Sequence, residues 1–289
     1  MKNVLKQLGK AICYIALFLG MQLLTGILFS FGYGIIAGVN NGLSGEILDQ
    51  VTVAQMAEEA LRRNQVMLVL VSDVLCVLFL MAFFGIRKKK WYRETNINQI
   101  FPKDILYFVV IGLGTALLIN GVLNLLPDSL LEDYMEASGV LTQDTTVFTV
   151  LLGVIIGPIV EEIIFRGIIL NRLRKAMPVT AAVLVSSFLF GVAHIQPIWA
   201  IYTFVLGCIL AIAAVRTDSI VPSIIIHVIF NACGELLAAS NIEGTMISGI
   251  LFAFMGCILM AGTAMIYIKN QQKSEHGGEE NGSDRDRCA

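Results

Sequence analysis

The stretch TVFTVLLGVIIGPIVEEIIFRGIIL, residues 146–170, decides the fold. Its length suits one membrane-spanning helix, which needs about 20 mostly apolar residues. The stretch nevertheless contains three ionisable residues, Glu161, Glu162 and Arg166. Because an ionisable group inside a span costs at least about 2.5–3.5 kcal/mol on insertion, each of them needs a structural or functional reason.

The composition places the whole chain in the same class as this stretch. Hydrophobic residues make up 56% of the 289 residues and charged residues only 15%, against about 25% charged in a soluble domain. We therefore predict an all-α, polytopic transmembrane helical bundle of about eight spans. The predicted spans are 11–37, 66–86, 104–126, 146–170, 178–195, 198–215, 219–239 and 246–268. The six cysteines form no CxxC or Cys/His cluster, which indicates neither a disulfide framework nor a thiolate metal site.

The distribution of basic residues predicts the orientation of the bundle. With eight spans, all of the 20 lysines and arginines except Arg62, Arg63 and Arg166 fall on one side of the membrane. Basic residues accumulate on the cytoplasmic side, so both termini are predicted to be cytoplasmic. We expect a multi-pass protein of the plasma (inner) membrane, of bacterial type. The formal net charge of -2 gives no indication of a nucleic-acid partner.

Three clusters of polar residues lie inside predicted spans, and each contains a pair four residues apart, which places both members on one helical face. The pairs are Glu162 with Arg166, Phe190 with His194, and His227 with Asn231. Glu161 is turned about 100° away from Glu162 and does not share its pairing with Arg166. Together the clusters supply a carboxylate base, two imidazoles and an amide donor, the groups needed to activate water and to stabilise an oxyanion. The alternative is structural: an ion pair that anchors helices, and histidines that only hydrogen-bond between them.

These motifs resemble those of the CPBP family, the CaaX-prenyl endopeptidases and bacteriocin-processing enzymes that are also called Abi proteins. The family shows EExxxR, FxxxH and HxxxN in order on successive membrane helices; here they are EEIIFR at 161–166, FGVAH at 190–194 and HVIFN at 227–231. The resemblance implies an intramembrane endopeptidase. Glu161 and His194 would activate water, His227 and Asn231 would stabilise the oxyanion, Glu162 and Arg166 would support the site, and Phe190 would pack beside His194.

The resemblance also divides the chain. N-terminal transmembrane helices and loops would occupy 1–145, a CPBP-like catalytic helical core 146–240, a final transmembrane helix 241–270 and a disordered cytoplasmic tail 271–289. The expected partners are membrane lipid and a peptide or protein substrate, either lipidated or a bacteriocin precursor. A role in self-immunity is a related expectation.

The sequence leaves the cofactor and the function class open. No HExxH signature is present, so the usual helical zinc motif is absent. No cofactor is required, yet zinc or another divalent metal could be held by Glu161, His194 and His227, the ligand set of a catalytic zinc site with one open position. The alternatives to a peptidase are a non-catalytic immunity or binding protein and a transporter. Two further acidic residues lie in spans. Asp73 has no assigned role, whereas Glu235, four residues beyond Asn231, shares the His227 face and is either an accessory residue or one near a helix end or cavity.

Overall fold

The structure is a computed structural model that describes residues 2–44, 49–142, 147–240 and 245–285. These residues contain helices and connections and no β-strand. The α-helices are α1 (Lys2–Ser44), α2 (Gln50–Arg63), α3 (Gln65–Ile86), α4 (Trp91–Thr95), α5 (Ile105–Leu123), α6 (Asp128–Thr142), α7 (Val147–Glu162), α8 (Asn171–Arg174), α9 (Val179–Val192), α10 (Pro197–Thr217), α11 (Val221–Ala239) and α12 (Met246–Arg285). A 3₁₀ turn, Pro102–Asp104, leads into α5, and a π-helix, Ile163–Leu170, joins α7 to α8.

Every predicted span coincides with a helix, which confirms the all-α class. Five helical segments are long and apolar enough to cross a bilayer: Lys2–Leu43, Gln65–Ile86, Pro102–Leu123, Pro197–Thr217 and Met246–Gln272. Val179–Val192 and Val221–Leu237 are apolar but shorter. In the predicted span 146–170, residue 146 lies outside the described residues, and the remainder changes from α- to π-helix within the span.

Two helices lie in connections between predicted spans. The acidic segment between the third and fourth spans contains α6. The segment between the first and second spans contains α2. At the C-terminus, α12 extends beyond the predicted span to Arg285, and 286–289 lie outside the described residues. The predicted disorder of the tail 271–289 stays a prediction.

The chain divides into two compact units, and the first comprises Met1–Asn98 with Pro127–Ile220. Its core is built around the π-helix, all eight residues of which are buried. The same hydrophobic cluster includes buried side chains of α1, α3, α9 and α10, among them Phe18, Phe84, Phe190 and Ala211. Gly167 permits a close approach here, since a Cβ at this position would lie 2.8 Å from the Thr95 carbonyl oxygen of α4.

The second unit comprises Gln99–Leu126 with Val221–Ala289, and in it α5 packs against both α11 and α12. Glycines allow the α5–α12 contact, because a Cβ at Gly256 would lie 2.5 Å from the Gly114 carbonyl oxygen. Close backbone approach through small residues is the usual way in which membrane helices associate, since lipid provides no hydrophobic driving force between them.

Candidate active site

A fully buried ion pair lies at the junction of α7 and the π-helix. Arg166 Nη1 donates to Glu162 Oε1 over 2.7 Å, and both side chains have an exposed fraction of 0%. Arg166 Nη2 also donates to the Gly207 carbonyl oxygen of α10 over 3.2 Å. The predicted Glu162–Arg166 ion pair is therefore present. The hydrogen bond from Arg166 to Gly207 ties the π-helix to α10.

Phe190 connects this ion pair to His194. The Arg166 guanidinium carbon lies 4.3 Å from the centroid of the Phe190 ring, within the range of a cation–π contact. The Phe190 and His194 rings meet edge to face, with centroids 4.8 Å apart. Phe190 thus packs between a cation and an imidazole, as the resemblance implied.

The backbone of α9 fixes the tautomer of His194. Its Nδ1 lies 2.9 Å from the Phe190 carbonyl oxygen. A carbonyl oxygen only accepts, so Nδ1 carries the proton and donates it. In the neutral ring Nε2 then holds the lone pair, which makes that atom the one able to accept a proton from water.

His194 lies in a tight connection between α9 and α10. The next residue, Ile195, has a φ of 63°, which is unfavourable for a β-branched residue. Gln196 then caps α10, because its side-chain oxygen accepts from the Trp199 backbone N–H over 2.7 Å. Pro197 at the first helical position is pre-organised for that start. A strained residue between two defined helix ends therefore sets the direction of His194.

Glu161 is half-buried at the last full turn of α7. It interacts electrostatically with Arg166, Asp73 and Tyr202. Arg166 forms its ion pair with Glu162, as the spacing predicts, and its charge also acts on Glu161. The α-helix ends at Glu162 and the π-helix begins at Ile163, and the i, i+4 contact is kept across this change.

The sequence assigned no role to Asp73, which the structure brings into the same region. Asp73 is buried in α3, and Gln22 Nε2 of α1 donates to its Oδ1 over 3.2 Å. An acidic residue within a predicted span was the available signal. Its neighbours could not be found from sequence, because they come from helices with no motif.

Aromatic residues from α6 and α10 lie beyond Glu161. Tyr134 meets Trp199 and Tyr202 edge to face, at centroid distances of 6.2 and 6.4 Å. Burial raises the pKa of the Tyr134 phenol above its ordinary value. The connection between the third and fourth predicted spans therefore contributes a packed aromatic group near the candidate base.

His227 and Asn231 lie on α11, in the second unit. His227 is 3% exposed and Asn231 is half-buried. Their four-residue spacing places them on one face of the helix. The structure thus joins Glu161, Glu162, Arg166, Phe190 and His194 by contacts within the first unit, and sets His227 and Asn231 together on α11.

A catalytic metal ion needs at least three donor side chains that converge. In the described part of the chain, no three His, Cys, Asp or Glu side chains come together in an arrangement that could hold a metal ion. Of the predicted set, Glu161 and His194 lie in the first unit and His227 lies in the second, and this metal site stays a prediction.

Long apolar helices that enclose charged and imidazole side chains define a multi-pass membrane protein with a candidate hydrolytic site. Residues 143–233 match the family model described as Type II CAAX prenyl endopeptidase Rce1-like. This match confirms the predicted CPBP resemblance over that segment and supports a CAAX-type intramembrane endopeptidase in general. Comparison with curated proteins and with solved structures gave no match.

Proposed function

We propose that the protein is an intramembrane endopeptidase that hydrolyses a peptide bond in a membrane-associated peptide or protein. The observation that best supports this proposal is a series of contacts that runs from the buried Glu162–Arg166 pair through Phe190 to His194. Glu161 interacts electrostatically with the same arginine. A solely structural ion pair does not require a histidine whose Nδ1 proton is held by the backbone and whose Nε2 is available. The family match, which includes all three motifs, supports the same assignment.

In the proposed mechanism, Glu161 is the general base and His194 assists it. The Glu161 carboxylate accepts a proton from water while His194 Nε2 accepts the hydrogen bond that orients this water. The water oxygen attacks the scissile carbonyl carbon, and the carbonyl oxygen becomes an oxyanion. Collapse of this intermediate breaks the C–N bond, and the proton held by Glu161 passes to the leaving amine. General acid–base catalysis by one positioned side chain typically contributes about 10²–10⁴-fold.

His227 and Asn231 are proposed to stabilise the oxyanion. An imidazole N–H and a side-chain amide are suitable donors for a developing negative charge, and loss of one such donor costs about 10²–10³ in kcat. Glu162 and Arg166 are positioning residues in this scheme. They act through the π-helix that begins at residue 163 and through Phe190, and they do not contact the scissile bond.

The substrate is proposed to be a peptide held at the membrane, for which a lipidated CAAX-like tail and a bacteriocin precursor are the two candidate classes. Both the substrate and the catalytic base can be identified in one experiment. Protein termini are compared by mass spectrometry in cells that contain the wild-type protein or Glu161→Gln. We expect new termini with the wild type, and their loss with Glu161→Gln although this protein still inserts into the membrane.

Glu235→Gln is the matched control. Glu235 is also a glutamate in an apolar helix, but it is exposed and has no assigned contact with the candidate site. We expect this variant to retain the wild-type termini. A purified Glu161→Gln protein that cleaves the identified substrate at the wild-type rate would contradict the catalytic assignment.

A further inference from the structure

A cavity with a partly charged lining lies in the first unit, where the beginning of α1 meets the end of α3. It has a volume of about 340 Å³. Its lining contains four basic side chains, Lys10, Arg87, Lys89 and Arg172, and no aspartate or glutamate. The remaining lining is apolar or aromatic apart from Cys13, and it includes Tyr14, Leu17, Phe79, Leu80, Phe83 and Phe84. The proposed reaction uses none of these residues.

The basic side chains are close enough together to repel one another. Lys10 experiences the positive charges of Arg172, Lys89 and Arg87. One nearby carboxylate, Glu94, pairs with Lys89 over 3.1 Å and with Arg172 over 3.3 Å. In the described part of the chain, neither Lys10 nor Arg87 has an ion-pair partner. Like charges that converge without a matching carboxylate favour the binding of an external anion.

The cavity also has a polar and an apolar end. Its cations come from the ends of the helices, whereas Leu17 lies seven residues further into α1 than Lys10, which is about 10 Å along a helix axis. Phe79 similarly precedes Arg87 within α3. Two of the cations lie over aromatic rings: the Arg87 guanidinium carbon is 4.7 Å from the Phe83 centroid, and that of Arg172 is 5.2 Å from the Tyr14 centroid.

We propose that this cavity binds an anionic phospholipid. The phosphate-bearing headgroup contacts Lys10, Arg87 and Arg172, and the first part of an acyl chain lies against Leu17 and Phe79. A simple soluble anion satisfies only the cationic end, whereas an amphiphile satisfies both ends of the cavity. Basic pockets between transmembrane helices are known sites for anionic lipid headgroups. The predicted orientation places this one on the cytoplasmic side, where anionic lipids provide negative charge.

The test measures lipid binding and is independent of protease activity. The purified protein is titrated in detergent with short-chain phosphatidylglycerol, with phosphatidylcholine of the same chain length, and with inorganic phosphate. Tryptophan fluorescence reports binding, because the Trp91 ring lies 5.8 Å from that of Phe84 in the cavity wall. We expect saturable binding of phosphatidylglycerol, at least tenfold weaker binding of phosphatidylcholine, and no competition by inorganic phosphate.

The double variant Lys10→Gln/Arg87→Gln should bind phosphatidylglycerol about 30-fold more weakly, from the usual contribution of two cations at a membrane surface. The charge-retaining variant Lys10→Arg/Arg87→Lys should bind like the wild type, which separates loss of charge from loss of folding. Lys90→Gln/Arg216→Gln removes two exposed cations outside the cavity and should also bind normally. Equal weakening by the cavity and control variants would overturn the proposal. Full competition by inorganic phosphate would also overturn it, and would assign the cavity to a soluble anion.

Discussion

Removing one member of the Glu162–Arg166 pair should destabilise the first unit far more than removing both. In Arg166→Met, the Glu162 carboxylate loses its ion-pair partner at an exposed fraction of 0%, and breaking a buried pair in this way costs about 3–5 kcal/mol. The Gly207 carbonyl oxygen also loses its charged donor. Glu162→Leu should also lower the free energy of unfolding, but by less than Arg166→Met, because the charge of Glu161 still acts on the buried guanidinium.

The double variant Glu162→Leu/Arg166→Met replaces both charges with apolar side chains of comparable size. Such replacements are often close to neutral in stability. The double-mutant cycle should therefore give an interaction energy of about 3 kcal/mol or more. The measurement is equilibrium unfolding in mixed micelles, followed by tryptophan fluorescence. Trp91 and Trp199, the two tryptophans of the chain, both lie in the first unit and therefore report on it.

The chain contains a matched control for this cycle. Glu58 and Arg62 have the same i, i+4 order and a contact of 3.0 Å, but their side chains are 61% exposed. An exposed pair of this kind contributes about 0.3–0.5 kcal/mol, so its cycle should give an interaction energy near that value. The reasoning fails if the buried and exposed pairs show the same interaction energy, or if the two buried single variants are additive.

Three further predictions follow from the geometry around His194 and Tyr134. Gly191→Ala places a Cβ 2.5 Å from the Ala200 carbonyl oxygen and should lower the free energy of unfolding by about 1–3 kcal/mol. Gly157→Ala is the control, because no atom lies within 4 Å of the new Cβ. The control variant should be no less stable than the wild type. Ile195→Gly removes a β-branched side chain at a φ of 63° and should raise stability by up to about 1 kcal/mol, so a loss of stability would show that Ile195 is not strained. Burial raises the pKa of the Tyr134 phenol in the folded state. The contribution of Tyr134 to stability is therefore present below the ordinary tyrosine pKa and is lost as the pH rises above it. Tyr134→Phe should reduce this alkaline loss of stability in thermal unfolding curves, and an unchanged pH dependence would contradict the prediction.

The sequence predicts the helices and the chemistry of the candidate site better than it predicts the neighbours of each residue. Hydropathy located the helices for two reasons. A span must be helical because its backbone hydrogen bonds have to be satisfied internally, and the thickness of the bilayer sets the length of its apolar segment. The i, i+4 spacing predicted the Glu162–Arg166 pair and the Phe190–His194 contact, since both depend only on local helix geometry. The Gln22–Asp73 hydrogen bond and the packing of Tyr134 on α10 depend on how distant helices meet, and no local pattern encodes that.

A π-helix begins directly after the two glutamates and contains Arg166. On an α-helix, Glu161 and Glu162 are turned about 100° apart, and Glu162 lies one turn before Arg166. Here the α-helix ends at Glu162 and eight buried residues follow in π geometry, a conformation that is rare and frequently found at functional sites. Arg166 leaves this wider turn with three interactions: an ion pair to Glu162, a hydrogen bond to the Gly207 carbonyl of α10, and an electrostatic interaction with Glu161. The same arginine therefore holds the π-helix against α10 and acts electrostatically on Glu161, so that the structural anchor and the proposed base belong to one interaction network.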